Sequence, residues 1–355
     1  MSARTLNAAL ADFERIVGAD SVIAADDELR SFRDPFQPAS WDVYTASAVV
    51  SPTTVEEVQA IVRVANERKI SLWTHGQGKN NGYGGPAPRS DGSVIVSLRK
   101  RNRVLEINEE LGYAVVEPGV RWFDLYEAIQ SGGHKLWLSC ADLGWGSVIG
   151  NSLDNGVTYL TGPISRRPSV SRSCSRTARS SGPGWVRCRG TSPGTCTSVG
   201  LGPVLDPLFM QSNFGIVTRM GLWLLPEPQC YMPLWIRAWK DDDLGPLTDT
   251  FRELMLDRTI DGVPQIINTL DMAAMITKRK DWYDGPGPIP DSLIDTMAKE
   301  LEVGRWIMRL ALYGDEAVVD HRYARVKGRL RAHPGGRGAG HEARSRHGGE
   351  SDAAG

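Results

Sequence analysis

Gly76-Gln-Gly-Lys-Asn-Asn-Gly-Tyr-Gly-Gly85 is the stretch on which the reading of this chain turns. Five glycines in ten residues give a backbone that can approach a large ligand closely. The N–H groups of such a loop suit a diphosphate. The apolar run Ile70–Thr74 just upstream predicts a strand feeding the loop. The spacing departs from the nicotinamide dinucleotide fingerprint, because Gly82 comes one residue late after Gly76 and Gly78 and no helix opens there. A glycine-rich surface turn stays open beside the diphosphate reading. Within the loop, Tyr83 offers a phenol to a ligand or packs as an aromatic, and Lys79 neutralises phosphate or is a solvated lysine. His75, next to a glycine, reads as a hydrogen-bonded loop residue.

Outward from the loop the pattern alternates short strands with helices. Ala46–Ser51 is an apolar strand closed by Pro52 and Thr53. Thr54 with Glu57 makes a capping box, and Val58, Ile61, Val62 and Ala65 follow at helical spacing. Ser93–Leu98 is a third strand, and Val104–Ile107 with Tyr113–Glu117 reads as a hairpin before a helix over Trp122–Gln130. Leu143–Asn151 forms a second glycine-rich loop, followed by Asp154 in a setting where Asp usually forms a turn. Beyond Pro226 and Pro228 lie a strand (232–239), a helix (244–256), a Gly/Pro loop (285–290), a helix (291–301) and a strand (306–313). Asp241, Asp242 and Asp243 read as a helix cap, and Trp282 and Tyr283 as packing residues.

The bulk numbers set bounds. A chain of 355 residues buries a full core and suggests two domains. A formal net charge of -1 points away from nucleic acid and anionic membranes. No apolar run reaches the length of a membrane span, and Met1–Asp20 reads as an amphipathic helix rather than a signal peptide. Five cysteines without motif spacing suggest reduced thiols and a cytoplasmic protein, and no Cys or His cluster has metal-site geometry.

Two segments break the pattern. Between Thr161 and Val199 there is no Asp, Glu or Lys, but seven Arg and three of the five cysteines. A disordered basic linker is one reading; a translated frameshift is the better one. Read one nucleotide earlier, the degenerate codons of Arg172–Ser198 permit a strand, a Pro-Asp-Gly turn and a second strand. The stretch from Gly328 to Gly355, rich in Arg, Gly and His, reads as a second out-of-frame tail. His333, His341 and His347 in it carry no functional weight.

Five stretches together resemble the vanillyl-alcohol oxidase / 4-cresol dehydrogenase family, the PCMH-type FAD-linked oxidases. They are Ser31-Phe-Arg-Asp-Pro, Gly78-Lys-Asn-Asn-Gly-Tyr-Gly-Gly, Glu117-Pro-Gly-Val, Asp142-Leu-Gly-Trp-Gly-Ser-Val-Ile-Gly-Asn and Gln211-Ser-Asn-Phe-Gly-Ile-Val-Thr-Arg-Met-Gly. The resemblance spans residues 10–160 and 200–327. It implies an α+β fold with a PCMH-type FAD-binding domain over 1–225, a partial α+β cap domain over 226–327 and the out-of-frame tail over 328–355. It implies FAD as cofactor, with Gly76, Gln77, Gly78, Lys79, Asn80, Asn81 and Gly82 on the diphosphate. Gly146, Ser147, Gly150 and Asn151, with Gly215, Ile216 and Val217, would pack around the flavin and adenosine. Tyr83 would bind a substrate phenolate, and Asp154 would act beside the flavin as base or water activator.

The substrate implied is a small 4-substituted phenol of the vanillyl alcohol, eugenol or 4-cresol type, oxidised by hydride transfer from its benzylic carbon. Oxygen or an electron-transfer protein would be the acceptor, and a homo-oligomer is compatible with the family. Relatives are longer and carry elsewhere the histidine or tyrosine that links FAD covalently, and a second tyrosine and an arginine at the phenolate site. No residue here matches those roles, so little turnover is expected of the chain as written. A non-enzymatic remnant and an FAD-linked 2-hydroxy acid dehydrogenase are the alternatives.

Overall fold

The computed structural model describes residues 3–34, 45–79, 85–156, 169–175, 180–181, 206–332, 339–342 and 345–346. The chain divides into two compact units, Met1–Thr158 with Pro163–Pro226, and Glu227–Gly355 with Tyr159–Gly162. Helix and sheet are mixed in both, as an α+β fold requires.

The first unit opens with α1 (Ala3–Val17), β1 (Val22–Ile23), α2 (Asp26–Leu29), β2 (Ala48–Val50), α3 (Val55–Arg68), β3 (Leu72–His75) and β4 (Val94–Ser97). These build a four-stranded sheet in the order β1-β2-β4-β3, with β2, β4 and β3 parallel. Parallel pairing needs a crossover, and α3 supplies it. Its start is the capping box foreseen from Thr54 and Glu57: the Thr54 side chain accepts from Glu57 N–H at 3.1 Å, and the Glu57 carboxylate accepts from Thr54 N–H at 3.2 Å. One face of the sheet (Ala48, Val50, Val94, Val96) packs on Phe13 of α1 and Ile61 and Val62 of α3. The alternate residues Val49 and Ile95 turn to the other face and meet Phe32.

Next come β5 (Val104–Asn108), β6 (Tyr113–Val116), α4 (Trp122–Ser131), β7 (Leu136–Trp137), α5 (Val148–Leu153), β8 (Ser169–Ser175), β9 (Ser180–Ser181), β10 (Gly215–Trp223) and β11 (Leu225–Pro226). They form a second sheet in the order β5-β6-β10-β8-β9 and a small β11-β7 pair. β5 and β6 are the expected hairpin. Every residue of β6 is buried: Ala114 and Val116 join the core beneath α4 and α5, while Tyr113 and Val115 form a separate cluster.

The second unit contains β12 (Cys230–Ala238), α6 (Leu244–Leu256), β13 (Gln265–Asn268), α7 (Thr269–Ile276), α8 (Arg279–Trp282), α9 (Asp291–Glu300), β14 (Trp306–Gly314), α10 (Glu316–Ala332), β15 (Ala339–Glu342) and β16 (Ser345–Arg346). The strands β13-β14-β12-β15 form an antiparallel sheet. Strict alternation of burial in β12 points Met232, Leu234 and Ile236 at Leu247, Phe251 and Leu254 of α6 and Val319 and Val326 of α10.

The 161–199 segment shows no apolar period, yet contributes β8 and β9. The tail likewise continues α10 to Ala332 and adds β15 and β16. Backbone groups alone can pair with an open strand edge, without any side-chain pattern.

Candidate functional site

The C-terminal ends of the three parallel strands lie together, where ligands gather in parallel sheets. β3 ends at His75 and delivers Gly76, Gln77, Gly78 and Lys79 to that edge. Asn80, Asn81, Gly82 and Tyr83 lie outside the described residues.

Gly76 is where the two glycine loops meet. A Cβ there would sit 2.4 Å from Ser147 Oγ and 2.5 Å from Pro118 O, so no other residue fits without movement. Gly78 has φ +63, the left-handed region that glycine adopts without steric penalty. The second loop is held by Ser147, whose hydroxyl donates to Pro118 O at 2.6 Å and accepts from Gly150 N at 2.9 Å, capping α5. Asn151 N–H donates to Ser147 O at 2.9 Å in the first turn of that helix.

Between the loops runs Glu117-Pro-Gly-Val, quoted for its resemblance and read from sequence only as a turn of the chain at Pro118 and Gly119. Gly119 is enclosed by carbonyls: a Cβ would meet Leu98 O at 2.5 Å, Arg99 O at 2.6 Å and Arg101 O at 2.7 Å. Gln77 Nε2 donates to Gly119 O at 2.5 Å, and Arg99 Nε donates to Gln77 O at 2.9 Å. The first loop is thus tied at Gln77 to both of its neighbours.

A buried ion cluster anchors that segment. Arg101 and Glu117, with side chains 4% and 3% exposed, pair at 2.7 Å. Arg101 also donates to Thr53 O at 2.9 Å and Thr218 O at 3.3 Å, bridging the two sheets of the unit. Arg103 Nη2 adds a second cation on Glu117, at 2.9 Å. Burial pushes the Glu117 carboxyl up, but the Arg103 hydrogen bond and the Arg101 charge outweigh it and hold its pKa below the ordinary value.

Asp154 follows α5, its N–H donating to Gly150 O at 3.0 Å. Its side chain keeps contact with solvent, yet neighbouring protein desolvates the carboxyl and raises its pKa. Gly215, Ile216 and Val217 open β10. Ile216 enters the core of the first sheet and Val217 that of the second. Their side chains are engaged there, so any contact with a cofactor falls to their backbone.

These features fit a dinucleotide. A glycine cradle sits at the carboxyl edge of parallel strands, and a second loop closes on it at Ser147. His75 Nε2 is buried and has no hydrogen-bond partner among the described residues. Among the described residues, no group of three or more His, Cys, Asp or Glu could hold a metal ion, and no helix is long and apolar enough to cross a membrane.

The family model of an FAD binding domain matches residues 46–165, a span that holds both loops and the segment between them. The chain is 34% identical over 321 residues to the 4-cresol dehydrogenase [hydroxylating] flavoprotein subunit of Pseudomonas putida, covering 88% of this chain and 61% of that protein. The solved p-cresol methylhydroxylase with substrate bound superposes with a TM-score of 0.90 at 31% identity, covering 97% of this chain and 67% of that one. The chain belongs to the PCMH-type family of FAD-linked oxidoreductases.

Within this PCMH-type family the 4-ethylphenol oxidase of Gulosibacter chungangensis, solved as an isoeugenol complex, matches equally well. Its TM-score is 0.89 at 34% identity, over 97% of this chain and 65% of that one. This chain therefore spans about two thirds of the length of the relatives it matches. FAD is the cofactor of the family, as the resemblance implied. Sequence reasoning read Pro118 and Gly119 only as a turn of the chain, and it missed Arg99 and Arg101. Glu117-Pro-Gly-Val was their signal, since a glycine after a strand end often marks a close backbone approach.

Proposed function

We propose that this protein is an FAD-dependent oxidoreductase that oxidises 4-substituted phenols at the benzylic carbon. The supporting observation is the likeness, over 97% of the chain, to an oxidase of 4-ethylphenol and a methylhydroxylase of p-cresol. Bound FAD would supply the hydride acceptor. Gly76, Gln77, Gly78 and Lys79, continued by Asn80, Asn81 and Gly82, hold the diphosphate. Gly146, Ser147, Gly150 and Asn151, with the backbone of Gly215, Ile216 and Val217, enclose the rest.

Tyr83 holds the phenol as phenolate, which pushes electron density toward the benzylic carbon and lets hydride depart from it. Water then adds to that carbon, and Asp154 takes the released proton. A carboxyl with a raised pKa suits that exchange near neutral pH. Oxygen or an electron-transfer protein accepts the electrons. The FAD-binding domain runs to about Leu225 and the cap domain follows. Residues 161–199 and the tail after Gly328 are read out of frame, which lowers turnover in the chain as written; resequencing the DNA there tests this.

The functional test is expression with added FAD, followed by absorbance of the purified protein and turnover of 4-ethylphenol and vanillyl alcohol. Yellow protein with even slow phenol turnover supports the proposal. Binding of a nicotinamide cofactor in place of flavin, or preference for a 2-hydroxy acid, refutes it.

A further inference from the structure

Arg99 brings a positive charge to the glycine loop, and no described carboxylate pairs with it. Its Nε donates to Gln77 O at 2.9 Å, so the guanidinium lies against the backbone of the loop itself. The Phe32 ring packs on the same group, its centre 5.0 Å from the guanidinium carbon. A guanidinium is a rigid fork of five N–H donors, of which Nε uses one. Among the described residues, Nη1 and Nη2 make no hydrogen bond or ion pair. Neither is buried without a partner, so both reach solvent, and four donors stay accessible beside Gln77.

Other arginines of this unit are compensated. Arg101 and Arg103 share Glu117 at 2.7 and 2.9 Å, and Arg89 pairs with Asp34 at 3.5 Å. Arg99 is half-buried, and burial alone lowers its pKa, with no carboxylate acting against it. A guanidinium nonetheless stays charged at ordinary pH. Holding such a cation partly out of water without a counter-charge costs stability. The adjacent His75 adds no second charge: burial, and then the Arg99 charge, lower its pKa to about 4. Lys79, the other cation on the described part of the loop, is exposed, and its long side chain has to be ordered when it binds.

We propose that Arg99 is a cofactor-binding residue whose Nη groups donate to the FAD diphosphate and supply its counter-charge. This rests on the FAD reading of the loop and deepens it. The diphosphate carries two negative charges and offers only acceptor oxygens. Loop N–H groups satisfy its hydrogen bonds but leave its charge in place. A guanidinium answers both, and its planar fork matches phosphate oxygens. Because Gln77 O and Phe32 already fix the fork, little side-chain freedom is lost on binding.

The experiment uses the full chain, with FAD titrated by fluorescence quenching, ADP by calorimetry, and melting of the flavin-free protein. Arg99→Gln should weaken FAD and ADP binding by a similar factor, about 10- to 100-fold, since both carry the diphosphate. Arg99→Lys keeps the charge and should recover most of the loss. Lys100→Gln removes the exposed neighbouring charge, whose ammonium donates to Ser21 Oγ at 2.8 Å, and should bind FAD as wild type does. Flavin-free Arg99→Gln should melt within about 2 °C of wild type, because loss of the Gln77 bond is offset by loss of an uncompensated charge. Should it fail to fold, Arg99→Met, which keeps an apolar stem on Phe32, takes its place.

Unchanged FAD affinity in Arg99→Gln overturns the inference. So does Arg99→Lys binding no better than Arg99→Gln, which assigns the loss to the Gln77 tether and not to charge. An equal loss in Lys100→Gln assigns it to the general field of the surface. FAD affinity that falls while ADP affinity holds moves the contact off the diphosphate. Flavin-free Arg99→Gln and Arg99→Met that both melt several degrees lower make Arg99 a structural residue. If the wild-type chain binds no flavin, the FAD reading falls and this inference with it. Wild-type binding with indifferent variants removes this inference alone.

Discussion

β10 has two neighbours and treats them differently. Against β6 it pairs without interruption, from Met220↔Val116 to Trp223↔Tyr113. Against β8 the register slips between Val217 and Arg219, and again between Arg219 and Gly221. β12 repeats the contrast: its register with β14 holds unbroken from Cys230↔Gly314 to Ala238↔Trp306, whereas with β15 it shifts between Leu234 and Ile236. The regular partners, β6 and β14, have apolar sequences with buried side chains. The irregular ones come from the two segments whose composition departs from the rest of the chain. Register is fixed by side chains that must face a core, and Ser-Val-Ser-Arg-Ser-Cys-Ser in β8 provides no such demand. On one side of each of these strands the register follows an apolar sequence pattern, and on the other the partner's sequence has none.

Proline tests this contrast with the largest expected effect. Val115→Pro removes a ladder donor from a strand buried on both faces and should abolish cooperative folding of the first unit, at a cost of about 3 kcal/mol or more. Ser173→Pro, at the same kind of interior position in β8, should lower the melting temperature by less than about 2 °C. Thermal melts with hydrogen exchange across 113–116 and 169–175 measure both. Equal losses would mean that the β8 edge is as firmly specified as the β6 edge.

The regular edge continues beyond β6 into Glu117, which provides the second test. Glu117→Gln leaves Arg101 buried without its counter-charge and should cost about 3 kcal/mol in denaturant unfolding. The sign of the pH dependence follows from the depressed folded pKa. The ionised carboxylate stabilises the fold above its ordinary pKa, and that contribution disappears as pH falls through the lower folded value. Acid destabilisation of the wild type should thus be partly absent in Glu117→Gln. A variant that keeps the full acid slope would assign it to other carboxylates.

How much of this was legible depended on whether a residue's partner was near in sequence. The Thr54–Glu57 box, the β5–β6 hairpin and the alternation along β12 are local patterns, and all three are realised. Both glycine loops were visible as motifs. Their contact at Gly76 and Ser147 was not, because it depends on Pro118 and Gly119, some 40 residues from the one and 30 from the other. Arg101 drew no reading from the sequence. Its partners at Thr53, Glu117 and Thr218 come from three separate elements that only the fold brings together. His75 was read as a loop residue with its hydrogen bond made. Among the described residues, only one of its two nitrogens is so engaged.

A smaller effect is expected where the second loop rests on the β6 extension. Ser147→Ala removes the cap of α5 and the donor to Pro118 O together. The cost should be about 1 kcal/mol, or 2–4 °C in melting temperature, with a larger relative loss in FAD affinity than in stability. If stability falls while flavin affinity holds, the meeting of the two loops at Gly76 contributes to folding but not to cofactor binding.

The smallest effect belongs to Asp154, which follows α5 and has no described counter-charge. Desolvation raises its pKa in the fold, so the ionised form is less favourable there than in the unfolded chain. Near neutral pH Asp154→Asn should melt at or slightly above wild type, and the difference should vanish as pH falls below the ordinary carboxylate range, where both side chains are neutral. This runs opposite to Glu117, whose ionised form the fold favours. The two carboxylates thus respond to the fold in opposite ways: it favours the ionised form of Glu117 and disfavours that of Asp154. If Asp154→Asn instead melts well below wild type at neutral pH, the carboxylate is paired in solution and its assignment as the water-activating base loses its physical ground.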